Sequence, residues 1–194
     1  MEIVEIYEGF VWSVKYEGEK DDIFSSLMKH WLDIEYLNEY FENHKHFIER
    51  NEFWDGYTIE ELVLSTRKEA ISFLRNFKDY YWNSRNGKHP DLEDNFLPLE
   101  KYPSDHEAEN RRKIYGKYFS DPPSLLRLYA LRIESKGRPP GYIVTGGGIK
   151  LTGKMSDMKE LSDEIKKLIS VQNWLKQKSI NCTQELFLLK NGKR

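Results

Sequence analysis

The sequence predicts an α+β fold, in which a small antiparallel or mixed sheet is flanked by helices and carries a large helical insertion. Residues 1–16 form two short runs of alternating apolar residues around Glu8 and Gly9, which is typical of a tight hairpin. Residues 125–155 hold two β-rich runs joined by a turn at 134–140 that contains Gly137 and two prolines. Helical periodicity fills most of the rest, so the order of strands, helices, strands and a helix indicates an α+β fold.

The first helical pattern extends from about residue 22 to residue 50. Asp21 or Asp22 is placed to cap its N-terminus, and we expect a break near His44. His44 and His46 are two residues apart, which does not place both on one helical face, so a metal site is not expected there.

A second helix is expected to follow Thr58 and Glu61, which have the spacing of a capping box, and to continue to about residue 83. A third helix is expected at 157–177, capped by Ser156 or Asp157. Residues 183–190 predict a last strand or a docked tail.

Residues 86–123 show little periodicity and predict a long irregular segment, part of it poorly ordered. Within it, residues 96–99 are interpreted as a short apolar anchor. The basic run at 109–119 is interpreted as a short helical turn.

Composition narrows the classes of function. The chain has 194 residues, which suits one domain, and its one cysteine allows neither an intrachain disulfide nor a zinc cluster. No apolar run reaches the roughly 18 residues of a membrane helix, and the acidic N-terminus is unlike a signal peptide. We therefore expect a cytoplasmic protein with no cofactor.

Charge divides this single domain, 1–194, into two unequal parts. Residues 1–110 carry 12 Lys and Arg against 25 Asp and Glu, whereas residues 111–194 carry 18 against 7. The division predicts an acidic helical elaboration at about 18–120 and a basic part at about 121–194. The basic part could face a polyanion, or the two parts could attract one another within the fold.

The central hairpin, residues 125–155, is the candidate site because it concentrates cations around three consecutive glycines. Residues 148–154 have the spacing of a phosphate-binding loop, but Met155 replaces the Ser or Thr that holds magnesium, and little chain remains for further βα units. Cleavage of RNA without a metal is the stronger interpretation, since strand-borne cations stabilise a phosphorane and Tyr or Lys moves protons. Arg127 and Tyr129 share one strand face.

The runs Leu-Tyr-Ala-Leu-Arg-Ile at 128–133 and Gly-Ile-Lys-Leu-Thr at 148–152, followed by an amphipathic helix, resemble the RelE/HigB toxin superfamily. The phage-derived HigB-like branch is the most similar, with a Leu-Tyr-Glu-Leu-Arg strand and a later Gly-Phe-Ile-Lys-Lys-Thr segment. The resemblance covers about residues 125–175. It implies a small antiparallel sheet with flanking helices and ribosome-dependent, metal-independent mRNA cleavage.

The resemblance also implies site residues and partners. The family's strand arginine falls on Arg127 or Arg132, its first lysine falls on Lys150, and Lys154 stands in for its second lysine, which is Leu151 here. The expected partners are an antitoxin protein and mRNA on the ribosome. The alternative is a non-catalytic binding module of the same fold that uses its basic hairpin to hold a protein or nucleic acid. The complete expected set is catalytic Arg127, Tyr129, Lys150 and Lys154, with nucleic acid bound by Arg132, Arg138, Arg111, Arg112 and Lys113.

Overall fold

The computed structural model of the chain describes residues 1–86, 96–116, 124–153 and 157–190. It confirms the α+β class: a six-stranded mixed sheet in the order β1-β2-β6-β5-β4-β3, with helices on both faces. All neighbouring strands are antiparallel except β2 and β6, which are parallel. The strands are β1 (Glu2–Tyr7), β2 (Val11–Lys15), β3 (Leu97–Pro98), β4 (Arg111–Tyr115), β5 (Leu126–Ile133) and β6 (Gly141–Ile149).

Helices α1 and α4 cover one face of the sheet, which we call the first face. The Phe24 N–H of α1 donates to Ser13 on β2, and buried Phe96 stacks on Tyr142 of β6 with ring centroids 3.9 Å apart. Phe77 of α4 contacts Phe96, so aromatic rings fill the core between these helices and the sheet. The helices of the N-terminal half are α1 (Ile23–Leu32), α2 (Ile34–Asn43), α3 (Lys45–Glu49) and α4 (Ile59–Arg85).

The last two helices of the chain cover the other face of the sheet, which we call the second face. Helix α6 (Lys159–Gln177) packs along β5 and β6, and α7 (Thr183–Lys190) docks its Phe187 against Trp12 of β2. A one-turn helix, α5 (His106–Glu109), precedes β4. Within the described ranges, no helix is both long and apolar enough to cross a membrane.

Several local predictions are confirmed. The N-terminal hairpin and the central hairpin both form antiparallel pairs. The Asp22 carboxylate accepts the Ser25 N–H at 3.1 Å and caps α1. Thr58 and Glu61 exchange the reciprocal hydrogen bonds of a capping box, at 2.9 and 3.2 Å, before α4.

The long first helix is instead three helices. The predicted break at His44 is present, but an additional break occurs at Asp33. The carboxylate of Asp33 accepts the N–H groups of Glu35 and Tyr36, which starts α2 afresh. The apolar pattern continues across this break, because α1 and α2 both turn apolar residues inward, and so the pattern alone does not reveal it.

Two further predictions are wrong, and a third is confirmed in one of its two alternatives. In the basic run at 109–119, residues 111–115 form β4, which pairs with β5 along its length, and not a helical turn; residues 117–119 lie outside the described residues. Residues 183–190, predicted to be a last strand or a docked tail, form a helix that docks on the sheet, so the second alternative is confirmed. The N-cap of α6 is Met158, without a side-chain hydrogen bond, rather than Asp157; Ser156 lies outside the described residues. The expected disorder within 86–123 falls partly on 87–95 and 117–123, which also lie outside them.

Candidate functional site

Strand register brings three cations of the predicted set onto the second face of the sheet. Lys113 lies opposite Tyr129 across β4 and β5, and Tyr115 lies opposite Arg127. Lys150 follows β6, where its N–H donates to Leu125 O at 2.7 Å. We call Lys113, Arg127 and Lys150 the basic cluster.

Arg127 is the buried member of the basic cluster, with 7 % of its surface exposed. Its Nη1 donates to the main-chain oxygens of Ser124 at 2.9 Å and Leu126 at 2.7 Å. Its guanidinium also lies 4.1 Å from the centre of the Tyr115 ring, within the range of a cation–π interaction. A guanidinium keeps its charge under these conditions, so Arg127 places a fixed positive charge inside the sheet–helix interface.

Lys150 is half-buried, and its Nζ donates to Gly153 O at 2.8 Å. Burial lowers the pKa of Lys150, and the positive charges of Arg127 and then Lys113 lower it further, against a smaller opposing effect of Asp157. A lysine that gives up its proton more readily is better suited to general acid–base chemistry near neutral pH. Lys150 is therefore the member of the basic cluster with the chemistry expected of a proton carrier.

Tyr129 and Lys113 occupy different environments. Tyr129 is fully buried, and burial raises the pKa of its hydroxyl. A substrate could not touch Tyr129 in this conformation, because packing of β5 against α6 covers it. Lys113 is partly exposed, and its Nζ donates to Leu99 O at 2.9 Å. The catalytic role assigned to Tyr129 stays a prediction that the geometry does not favour.

The other predicted residues do not join the basic cluster. Arg111 and Arg132 lie toward the opposite end of β5, where Arg111 pairs with Glu100 at 3.2 Å and Arg132 pairs with Glu134. Arg138 is exposed on the hairpin turn. Arg112 lies on the first face, where its Nε is buried without a hydrogen-bond partner among the described residues. Lys154 lies outside the described residues.

The three consecutive glycines have a structural explanation that sequence reasoning missed. β2 pairs with β6 only as far as Val144, so the same edge of β6 is open beyond it. Side chains take the place of a strand there: the Tyr16 hydroxyl donates to Thr145 O at 2.7 Å, and the Glu164 carboxylate accepts the Gly147 N–H at 3.1 Å.

Each glycine makes room for something specific. A Cβ at Gly146 would lie 1.8 Å from the Glu164 carboxylate, and one at Gly147 would lie 2.7 Å from the Arg127 main-chain oxygen. A Cβ at Gly148 would lie 2.8 Å from the Leu161 side chain of α6. The glycines thus permit α6 to approach the sheet and Glu164 to reach the open edge, and no phosphate loop is needed to explain them.

Tyr115 was also missed, because the run that contains it was interpreted as a helical turn. Had that run been read as a strand, the two-residue spacing of Lys113 and Tyr115 would have put both on one face. Within the described ranges, no group of three or more His, Cys, Asp or Glu is arranged to hold a metal ion.

In comparisons with family models, curated proteins and solved structures, nothing matches this chain. The resemblance to the RelE/HigB superfamily therefore stays a prediction, and function has to be argued from the basic cluster itself.

Proposed function

We propose that this protein is a toxin-type translation inhibitor that cleaves mRNA without a metal, using the basic cluster to hold the scissile phosphate. The observation that carries the proposal is the convergence of Lys113 on β4, Arg127 on β5 and Lys150, which directly follows β6. Convergence of like charges is unfavourable in itself, so it is better explained by a polyanionic ligand than by stability.

The chemistry assigns a different role to each cation. Lys150, whose pKa is lowered, takes the proton of the ribose 2′-hydroxyl in its neutral form. The 2′-oxygen then bonds to phosphorus while the bond from phosphorus to the 5′-oxygen breaks, and the leaving 5′-oxygen takes a proton from water, which gives a cyclic phosphate and a 5′-hydroxyl. Lys113 stabilises the charge that develops on the phosphate oxygens. Arg127 is a positioning residue, because its guanidinium is held by main-chain oxygens and acts through the pKa of Lys150.

Such a protein would work in the cytoplasm, on the ribosome, and would be held in check by a cognate antitoxin. Both partners belong to the proposal. An antitoxin would be expected to cover the basic cluster and so block access to Lys150.

The test is growth after induced expression of the wild type beside Lys150→Ala, with protein synthesis followed by uptake of labelled amino acids. Lys136→Ala is the matched control, since Lys136 is an exposed lysine of the hairpin turn outside the basic cluster. We expect arrest with the wild type and the control, and relief with Lys150→Ala. Normal growth at high soluble expression of the wild type would contradict the proposal that the protein is toxic by itself.

The burial of Arg127 favours a second candidate, a non-catalytic module of the same fold that holds RNA through Lys113 and Lys150, the two partly buried members of the basic cluster. In that case single-stranded RNA should bind without being cut. Binding through about two phosphates predicts a slope of about −1.4 in log affinity against log salt concentration, which Lys113→Gln combined with Lys150→Gln should bring close to zero. An RNA affinity that does not change with salt concentration would contradict nucleic-acid binding, and with it both candidate functions.

A further inference from the structure

A small cavity opens at the open edge of β6, between α1 and α2 on the first face of the sheet and α6 on the second. Its volume is about 170 Å³. Such a volume is below the roughly 300–1,000 Å³ of cavities that enclose drug-sized ligands, so it suits the headgroup of a ligand rather than a nucleotide. It is lined by aromatic side chains, two glutamates and the glycine backbone, chiefly Trp31, Tyr36, Tyr40, Gly147, Glu160 and Glu164.

Aromatic rings form one wall of this cavity. The rings of His30, Tyr36, Tyr40 and His44 stack one on the next in a row. The ring centroids are 4.4 Å apart for His30 and Tyr36, 6.3 Å for Tyr36 and Tyr40, and 4.1 Å for Tyr40 and His44. This row of rings is carried by α1 and α2, which are anchored in the core by the buried side chains of Trp31 and Leu37. The wall is therefore in place before any ligand binds, which reduces the entropic cost of binding.

Two glutamates place carboxylate oxygens at the cavity. Glu164 has only 13 % of its side chain exposed, with one oxygen on the Gly147 N–H and the other 2.6 Å from Lys167 Nζ. Glu160 is more exposed and contacts the Tyr40 hydroxyl and His44 Nε2, both at 3.2 Å.

The negative charge of Glu160 acts on Tyr36 and Tyr40. After burial, the largest cause that raises the pKa of Tyr36 and of Tyr40 is the charge of Glu160. No lysine or arginine is among the described residues that line the cavity. Aromatic π-faces and carboxylates together are the surroundings that attract an organic cation.

We propose that this cavity binds an alkylammonium group, either on a free small amine or on a lysine side chain of another protein. Carboxylate oxygens of Glu160 and Glu164 would neutralise the charge while the rings of Tyr36 and Tyr40 contact the alkyl groups. The proposal does not depend on the basic cluster, because none of Lys113, Arg127 and Lys150 lines the cavity.

The experiment is calorimetric titration of the full chain with choline, beside 3,3-dimethyl-1-butanol, which has the same shape without the charge. We expect choline to bind with a dissociation constant of about 1 mM and the alcohol to bind at least about tenfold more weakly. Equal binding of both, or no binding of choline up to about 50 mM at matched ionic strength, would overturn the proposal.

Two variants test whether choline binds in the cavity. Glu164→Gln keeps an oxygen for the Gly147 N–H while removing the charge, so binding should weaken about tenfold. Glu42→Gln makes the same charge change at an exposed site of α2 that does not line the cavity, and it should leave binding unchanged. If both variants weaken choline equally, binding reflects overall charge and the proposed site is wrong.

A lysine-containing peptide and its acetyl-lysine counterpart distinguish the two sources of the ammonium group. Binding of the unmodified peptide more tightly than choline, lost on acetylation and in Glu164→Gln, assigns the cavity to a protein side chain. Binding of choline with a weaker peptide assigns it to a small amine. A peptide that binds equally well when acetylated contradicts charge recognition.

Discussion

The replacement of Gly146 by alanine should destabilise the fold through a single displaced carboxylate. The added Cβ would lie 1.8 Å from Glu164 Oε2, so the carboxylate has to leave the Gly147 N–H. No positive φ is found at Gly146, so alanine strains the backbone there no more than at an ordinary strand position. The cost therefore comes from the lost hydrogen bond.

The magnitude follows from that bond. A hydrogen bond to a charged group contributes about 1.5–3 kcal/mol, and replacement of glycine by alanine recovers about 0.4–1 kcal/mol through the unfolded chain. Gly146→Ala should thus lower the free energy of unfolding by about 1–2 kcal/mol. Glu164→Ala, which leaves the Gly147 N–H without its acceptor, should lower it by about 2 kcal/mol.

The two changes should not add. Once Glu164 is alanine, the Cβ at residue 146 meets no carboxylate, so the double variant should be no less stable than Glu164→Ala alone. That outcome corresponds to a coupling energy of about −1 to −2 kcal/mol.

The assay is urea unfolding of the three variants, followed by tryptophan fluorescence. Gly153→Ala is the matched control, because a Cβ there has no neighbour within 4 Å, and its stability should change by less than about 0.5 kcal/mol. Additive losses in the double variant, or a Gly146→Ala loss no larger than that of the control, would refute the explanation of the glycines.

Three further predictions concern the core, a helix cap and the basic cluster. Phe96→Ala, which removes a fully buried ring stacked on Tyr142, should lower the free energy of unfolding by about 3–5 kcal/mol in denaturant titrations. Asp22→Ala should lower it by about 1–2 kcal/mol, because the start of α1 loses its capping carboxylate. Lys113→Gln should raise the pKa of Lys150, measured by NMR titration of its ε-methylene, since one of the nearby positive charges that disfavour the protonated form is removed.

Each of these has a control in the same chain. Phe53→Ala removes an exposed ring and should cost far less than Phe96→Ala, and Asp21→Ala, beside the cap, should lower the melting temperature less than Asp22→Ala. Lys136→Gln should leave the pKa of Lys150 unchanged, because Lys136 is not among the charges that shift it. An equal effect of any control and its partner contradicts the reasoning for that pair.

Local features of the fold could be predicted because the signals lie within a few residues of one another. The capping box of Thr58 and Glu61 joins residues three apart, and the cap of Asp22 on Ser25 spans the same distance. Both hairpins join strands that follow one another in the chain, so alternation and turn residues are sufficient to predict them.

Features that depend on distant neighbours could not be predicted in the same way. The run 111–115 forms a strand because β5 offers it a partner, although its own residues favour no single conformation strongly. Asp33 interrupts a continuous apolar pattern, since a cap can start a new helix without changing which residues are buried.

The candidate site also has one part that the sequence predicted and another that depends on distant neighbours. Sequence alone selected Arg127 and Lys150, because cations on β-rich runs stand out in composition and spacing. Only the tertiary structure placed Lys113 with them, buried Tyr129, and set Glu164 against the glycines. Pairing of strands and docking of α6 determine distances between residues far apart in the chain, whereas a one-dimensional pattern determines only which residue types can occupy a face.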